Sequence, residues 1–218
     1  LSAITHGQID DYRHWLDNLP NPPDLSSHEW ETRKNKRLFA FIDQILDGNT
    51  PIRHLVDERL ADIVQNSFLH FANQRYRLLA FVVMPSHHHW MFLPDPVWSA
   101  EVSIHLRSSS SRIRTPREII SHSIQSYTGT MCNRIRKTTG AFWQNETFDH
   151  WVRDDDEMHR IIQYIEQNPV QAGLVDSLKI GDGRLPASVM NYQYLQVIQY
   201  PHRSSCILPL RAIVGHAS

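Results

Sequence analysis

Cysteine is scarce in this chain: only Cys132 and Cys206 occur among 218 residues. They lie far apart and form no CxxC pair, which speaks against a disulfide framework or a zinc ribbon and fits a reducing compartment such as the cytoplasm. No apolar run approaches the roughly 18 residues of a membrane span, and no secretory signal pattern is read at the start. An excess of one charge sign is also missing. The net charge is −1 with histidine neutral, unlike a strongly basic nucleic-acid binder, although local patches stay open. What the chain does have is 41% hydrophobic and 21% charged residues, the make-up of a globular protein with one well-packed domain or a domain with appendages. It starts at Leu1 rather than Met, so an incomplete N-terminus is expected.

The most informative stretch is Tyr76 to Leu93, YRLLAFVVMPSHHHWMFL. It reads as two extended runs joined by a tight turn. Strict alternation puts Tyr76, Leu78, Ala80, Val82 and Met84 on one face and Arg77, Leu79, Phe81 and Val83 on the other. Both faces are largely apolar, as in a central strand covered on both sides. Pro85-Ser86 interrupts the run, since Pro cannot continue a central ladder. In a second strand, His87 and His89 share a side and His88 takes the other. Two imidazoles on one face of rigid backbone can share a divalent cation, but histidines also sit on half-exposed strands with no chemical role.

Residues 1–30 read as a short helix or turn followed by the loop NLPNPPDLSS, an irregular N-terminal segment. A helix over about 31–46 carries Leu38, Phe41, Ile42, Ile45 and Leu46 at 3–4 spacing, and its basic RKNKR is best read as a solvated face. Gly48 suits its end. A second helix, about 57–71, has Leu60, Ile63, Val64, Phe68 and Phe71 as its stripe. After Pro94 the pattern lapses, and 95–116, with SSSSRIR, reads as a loop insertion. There Arg107, Arg112 and Arg114 could meet phosphates, or the segment is simply surface. A third helix runs from Pro116 to Lys137 with the stripe Ile120, Ile124, Tyr127, Met131 and Ile135, ending at Gly140. Its last turn carries Arg134, Arg136 and Lys137, which complement the helix dipole and could also meet a nucleic-acid backbone. Phe142 to Val152 reads as a strand. Asp154 then caps a helix, with Glu157 three residues on, and Asn168-Pro169 is expected to stop it after Gln167. Tyr164 and Asn168 are four residues apart and face the same way. They make a nucleophile beside a neutral ligand, or a boundary tyrosine and a C-terminal cap. NYQYLQVIQYP can form one more element, and the remainder of the 179–218 tail reads as irregular.

MPSHHHWMFL resembles the MPNHxH signature of single-tyrosine HUH transposases, and GAFWQNETFDHWVRDDDE followed by YIEQNPVQAGLV resembles that superfamily's later blocks in the same order. The similarity runs from about Arg33 to Val175, with REP-associated tyrosine transposases as the nearest branch. It implies an α+β, ferredoxin-like antiparallel sheet with helices packed on it, over about 31–178. The family's first strand should precede the 31–46 helix, and no convincing version of it is found; if the chain is a fragment, the sheet lacks that strand and gains an exposed edge. By the same resemblance His87 and His89 match the metal-holding histidines, Mg²⁺ or Mn²⁺ is the cofactor, Asn168 completes the metal site, and Tyr164 is the nucleophile. The implied activity is a single-stranded DNA endonuclease and strand transferase forming a covalent 5′-phosphotyrosine on hairpin-forming palindromic DNA, by a monomer or homodimer. Ser86 replaces the usual Asn and His88 the usual hydrophobic residue. The first should alter the turn more than the chemistry, while a buried neutral imidazole at 88 needs a hydrogen-bond partner.

Two other functions stay open. One is a binding module, decayed or domesticated, that grips folded single strands without cutting. The other is a phosphodiesterase using water, with Tyr164 structural.

Overall fold

The structure, a computed structural model, describes residues 3–47, 52–107, 114–143, 150–152, 154–175, 196–197 and 213–217. They fall into two compact units divided between Arg53 and His54. No helix among the described residues is long and apolar enough to cross a membrane.

In the first unit α1 (Ala3–Asp17) packs on α2 (Ser27–Asp47). The short helix or turn expected at the start of the N-terminal segment is a helix of 15 residues, and turns follow it where the loop was expected. α2 begins before residue 31 because Ser26 and Glu29 form a capping box. The Glu29 N–H donates to Ser26 Oγ at 3.3 Å, and the Ser26 N–H donates to the Glu29 carboxylate at 2.9 Å. Ile9 and Leu16 of α1, with Trp30, Leu38, Ile42 and Leu46 of α2, are buried. The expected stop at Gly48 lies outside the described residues.

The second unit begins with a 3-10 turn at His54–Val56 and α3 (Glu58–His70). Asp57 caps α3, accepting from the Arg59 N–H at 3.1 Å. The Arg59 side chain also holds the Asp57 carboxyl below its usual range. The hairpin follows, β1 (Tyr76–Val83) and β2 (His88–Pro94), turned by Pro85-Ser86 and closed by the Met84 N–H donating to the His87 carbonyl at 2.8 Å. Pro96–Arg107 is helix α4, not loop. Then come α5 (Pro116–Arg136), β3 (His150–Trp151), α6 (Asp155–Gln171), β4 (Gln196–Val197) and β5 (Ile213–Ala217). The described strands form an antiparallel sheet in the order β3-β5-β2-β1-β4. The protein is therefore α+β, helices on an antiparallel sheet. No described strand precedes α2. The tail contributes instead: β4 falls in NYQYLQVIQYP, and β5 inserts beside β2 where an irregular segment was expected.

The hairpin is covered on both faces, but its alternation is not strict. Leu78 pairs with Phe92 and Ala80 with Met91, so Leu79 is the extra residue of a bulge. The bulge swaps faces partway along β1. Tyr76, Leu78, Phe81 and Val83 join Trp90, Phe92 and residues of α3 and α5 in one core. Leu79, Ala80, Val82 and Met84 join Met91 and residues of α6 in the other. The alternation read from sequence therefore fails after Leu78.

The helix ends also differ from the expectations. α5 opens with a full capping box between Thr115 and Glu118 and ends at Arg136, within a residue of the expected Lys137, but it is closed by Lys137, left-handed at φ 55, and not by Gly140. The Thr138 N–H donates to the Asn133 carbonyl and the Lys137 N–H to that of Arg134, a Schellman closure. The buried stripe of α5 is Ile120, Ile124, Thr128 and Cys132, while Tyr127 is 55% exposed. α6 runs through Pro169 to Gln171. Leu174 N–H donates to the Pro169 carbonyl and Gly173 N–H to that of Val170, with Gly173 at φ 66. That second Schellman closure, not Pro169, ends the helix, so Asn168 lies inside α6 and is no cap. Of the strand expected over 142–152, only His150–Trp151 is strand; Phe142 and Trp143 are bends, and 144–149 lie outside the described residues.

Candidate metal centre and nucleophile

His87 ends the hairpin turn and His89 lies in β2, so both side chains point to the face that α6 covers. Their Nε2 atoms stand 3.1 Å apart, and the rings meet edge to face at 4.9 Å. Both are fully buried. Ser86 Oγ lies 2.9 Å from His87 Nδ1. Ser86, which stands where an Asn was expected, thus touches a ring nitrogen as well as forming the turn. If the Nδ1 proton is donated to Ser86, His87 Nε2 carries a lone pair toward His89.

Tyr164 comes from α6. The helix buries Met158, Ile165, Asn168 and Pro169, which turns Tyr164 onto the margin of the same stripe. Its ring meets His89 edge-on at 5.6 Å. One turn on, buried Asn168 donates from Nδ2 to the Tyr164 hydroxyl at 3.3 Å. On the same helix, burial pushes the Glu166 carboxyl above its usual range. The four sequence-predicted residues His87, His89, Tyr164 and Asn168 are therefore brought together on one face.

The donor set suits a divalent cation. Neighbouring ligands about 2.1 Å from an octahedral Mg²⁺ stand roughly 3.0 Å apart, and those of a tetrahedral Zn²⁺ about 3.4 Å apart. The 3.1 Å between the imidazole nitrogens is a hydrogen-bond distance and is close to the ligand spacing of either geometry. Asn168, tied to Tyr164 through its Nδ2, carries a neutral carboxamide oxygen of the type such ions accept.

His88 points to the other face. It is 2% exposed and held by aromatic edges, with Phe68 at 5.1 Å and Trp143 at 4.9 Å. Trp143 is anchored in turn, its indole N–H donating to Thr128 Oγ1 at 2.8 Å. This latch was missed from sequence, where Thr128 stood outside the stripe assigned to α5; the spacing from Ile124 to Cys132 was the available signal.

The basic candidates are not gathered at the histidines. Arg134, Arg136 and Lys137 end α5, which belongs to the opposite core; Arg136 lies 5.9 Å over the Phe142 ring, and Arg134 and Lys137 are exposed. Near Arg136, the His54 imidazole is held below its usual range by burial first and that cation second. Arg114 is exposed just before the α5 cap. Arg107 closes α4, and Arg112 lies outside the described residues. Comparison with protein-family models, with curated proteins and with solved structures finds no match.

Proposed function

We propose that this chain is a metal-dependent endonuclease and strand transferase of single-stranded DNA, acting through Tyr164 on hairpin-forming palindromic substrates in a reducing, cytoplasmic setting. The observation that supports it is the meeting of the His87–His89 pair with the Tyr164–Asn168 pair, Nε2 to Nε2 at 3.1 Å and His89 to Tyr164 at 5.6 Å.

His87, His89 and the Asn168 carboxamide would hold Mg²⁺ or Mn²⁺, which when bound draws charge from a non-bridging phosphate oxygen and makes the phosphorus more electrophilic. The rest falls to the chain. Ser86 Oγ accepts a hydrogen bond from the His87 Nδ1–H, which selects the tautomer that leaves Nε2 available. His89 sets the Tyr164 ring by an edge contact. Asn168 donates to the phenolic oxygen and favours its charged form, as the nucleophile requires when a free tyrosine titrates near pH 10. Tyr164 Oη attacks phosphorus in line; the new bond is the 5′-phosphotyrosine ester, and the bond to the 3′ oxygen breaks. The phenolic proton is lost, a proton ends on the released 3′-hydroxyl, and the retained ester lets the step run backward to rejoin strands.

The test is adduct formation with a hairpin oligonucleotide and Mn²⁺. Wild type should give a covalent protein–DNA species, and Tyr164→Phe none. Cleavage that survives Tyr164→Phe would assign the attack to water. The alternative, a module that grips folded single strands without cutting, is favoured by the complete burial of both histidines. It predicts affinity for the hairpin with no adduct from either protein.

A further inference from the structure

We propose that the α1–α2 pair carries a separate platform for single-stranded nucleic acid, built from an aromatic ladder ending at Trp15 and the arginines beside it. Tyr12 stacks on Phe41 at 4.1 Å with the planes 20° apart, and Trp15 continues the ladder from Tyr12 at 5.3 Å. Trp15 is 50% exposed, unusual for a large aromatic side chain on a helix that also buries Ile9 and Leu16. An indole left half in water at the end of a stack offers its face to one more ring.

The charge beside the ladder selects the kind of ring. Phe41, Arg37, Arg33 and Trp30 follow one another at three- and four-residue steps and therefore share a side of α2. Arg33 and Arg37 are exposed, and the Arg37 guanidinium lies 5.9 Å from the centre of the Trp30 ring, at the outer edge of cation–π range. Several acidic groups of the pair are already engaged. Glu31 and Asp17 face Lys34 at 2.7 and 3.5 Å, Asp10 faces Arg13 at 3.6 Å, and Glu29 accepts from the Ser26 hydroxyl at 2.6 Å. Asp11, one turn before Trp15, is an opposing charge, and the Glu29 carboxylate also feels the charge of Arg33. An exposed π-face beside a line of guanidinium groups complements a polyanion with accessible bases, which is a single strand and not a duplex. The basic run that sequence alone assigns to a solvated face thereby gains a ligand class.

The choice of nucleic acid agrees with the activity proposed above, yet the platform stands or falls by a different measurement. The full-length chain is titrated into a fluorescent twelve-residue oligothymidylate in EDTA, and anisotropy is read at several salt concentrations. Trp15→Ala should weaken binding about 5- to 100-fold and Trp15→Phe much less, the range expected for one stacked base. Arg33→Gln with Arg37→Gln should flatten the salt slope by about 1.4, two phosphates' worth on a single strand. Wild-type binding that Trp15→Ala leaves within twofold overturns the platform, as does no binding at all. Equal competition by an acidic peptide such as oligoglutamate overturns it too, because charge alone would then explain capture. A shift in oligomeric state on Trp15→Ala with unchanged affinity also overturns it and makes the ladder a protein contact. Failure of the Mn²⁺-dependent adduct while Trp15-dependent binding persists removes the cleavage proposal and leaves this one intact.

Discussion

Thr128→Val tests whether the latch behind β2 is energetically real. Thr128 and the indole of Trp143 are both buried, at 0% and 8% exposure. Valine keeps the shape of threonine and deletes the one acceptor that the indole N–H uses, at 2.8 Å. Leaving that donor buried and unsatisfied costs about 1–3 kcal/mol. The added methyl surface offsets about 0.8 kcal/mol. The hydroxyl's own bond to the Ile124 carbonyl, at 2.7 Å, is a back-bond that helices do without. The expected net loss is about 1 kcal/mol, or roughly 2–4 °C in Tm for a unit of this size, measured by thermal unfolding followed by circular dichroism. Thr128→Ser should retain most of the stability. Trp143→Phe removes the donor as well, so in that background Thr128→Val should cost much less, a coupling of about 0.5–1.5 kcal/mol. Because Trp143 meets the His88 ring, the His88 imidazole resonances should move in Thr128→Val. A Tm within 1 °C of wild type together with zero coupling would refute the latch.

Three further outcomes are expected. His87→Ala and His89→Ala should abolish Mn²⁺ binding, read by electron paramagnetic resonance, and adduct formation, at about 1–3 kcal/mol in stability for these fully buried rings; collapse of the far-ultraviolet signal would make the pair structural. Lys137→Gly should raise stability by about 0.5–1 kcal/mol in a denaturant titration, because the left-handed φ of 55 at that position suits glycine, and a loss would show that the lysine side chain outweighs the backbone. The Cys132 thiol is pushed up to about 11, chiefly by burial. Its folded value lies above the unfolded one, near 8.5, so its contribution is full below that pH and lost as pH rises toward 11. Unfolding free energy should fall by about 3 kcal/mol more between pH 8 and 11 in wild type than in Cys132→Ala, and equal slopes would show that the thiol ionises freely in the fold.

How much of this was legible in the sequence follows from the range of the forces involved. Local chemistry was readable. The His-x-His spacing placed two rings on one face and the third behind it. Helical spacing put Tyr164 and Asn168 side by side, and Asp154 capped α6 as its sequence predicts, accepting from the Glu157 N–H at 2.6 Å. What failed depended on competition between neighbouring signals. Pro169 reads as a stop, but it removes one N–H bond near the helix end, and the helix runs two residues further before closing through Gly173 and Leu174. The β1 bulge leaves no mark in an all-apolar run, since both faces are hydrophobic and neither register exposes a polar residue. Only packing chooses, and it moved Ala80 and Val82 to the face of the histidine pair. The strands of the tail gain stability from ladder partners near residues 80–92, at a sequence distance no local pattern can report.

The bulge also bears on why the site can exist at all. A strand alternating strictly from Tyr76 would carry Tyr76 and Leu78 on the same face as Ala80 and Val82. With Leu79 inserted, the large rings of Tyr76 and Phe81 gather with Trp90 and Phe92 on the α3–α5 side. The other side keeps Ala80, Val82 and Met91, small or flexible groups over which α6 packs. Tyr164 is among the residues packed there, within reach of His89. Replacing Ala80 with leucine should therefore push α6 outward, because three added carbons in a close-packed layer force a shift of the backbone they meet. The Asn168–Tyr164 bond at 3.3 Å and the edge contact to His89 would be the first to lengthen. A variant that loses Mn²⁺-dependent adduct formation while keeping Mn²⁺ bound at His87 and His89 would separate placing the nucleophile from holding the metal. Loss of both together would mean that the face is one rigid piece.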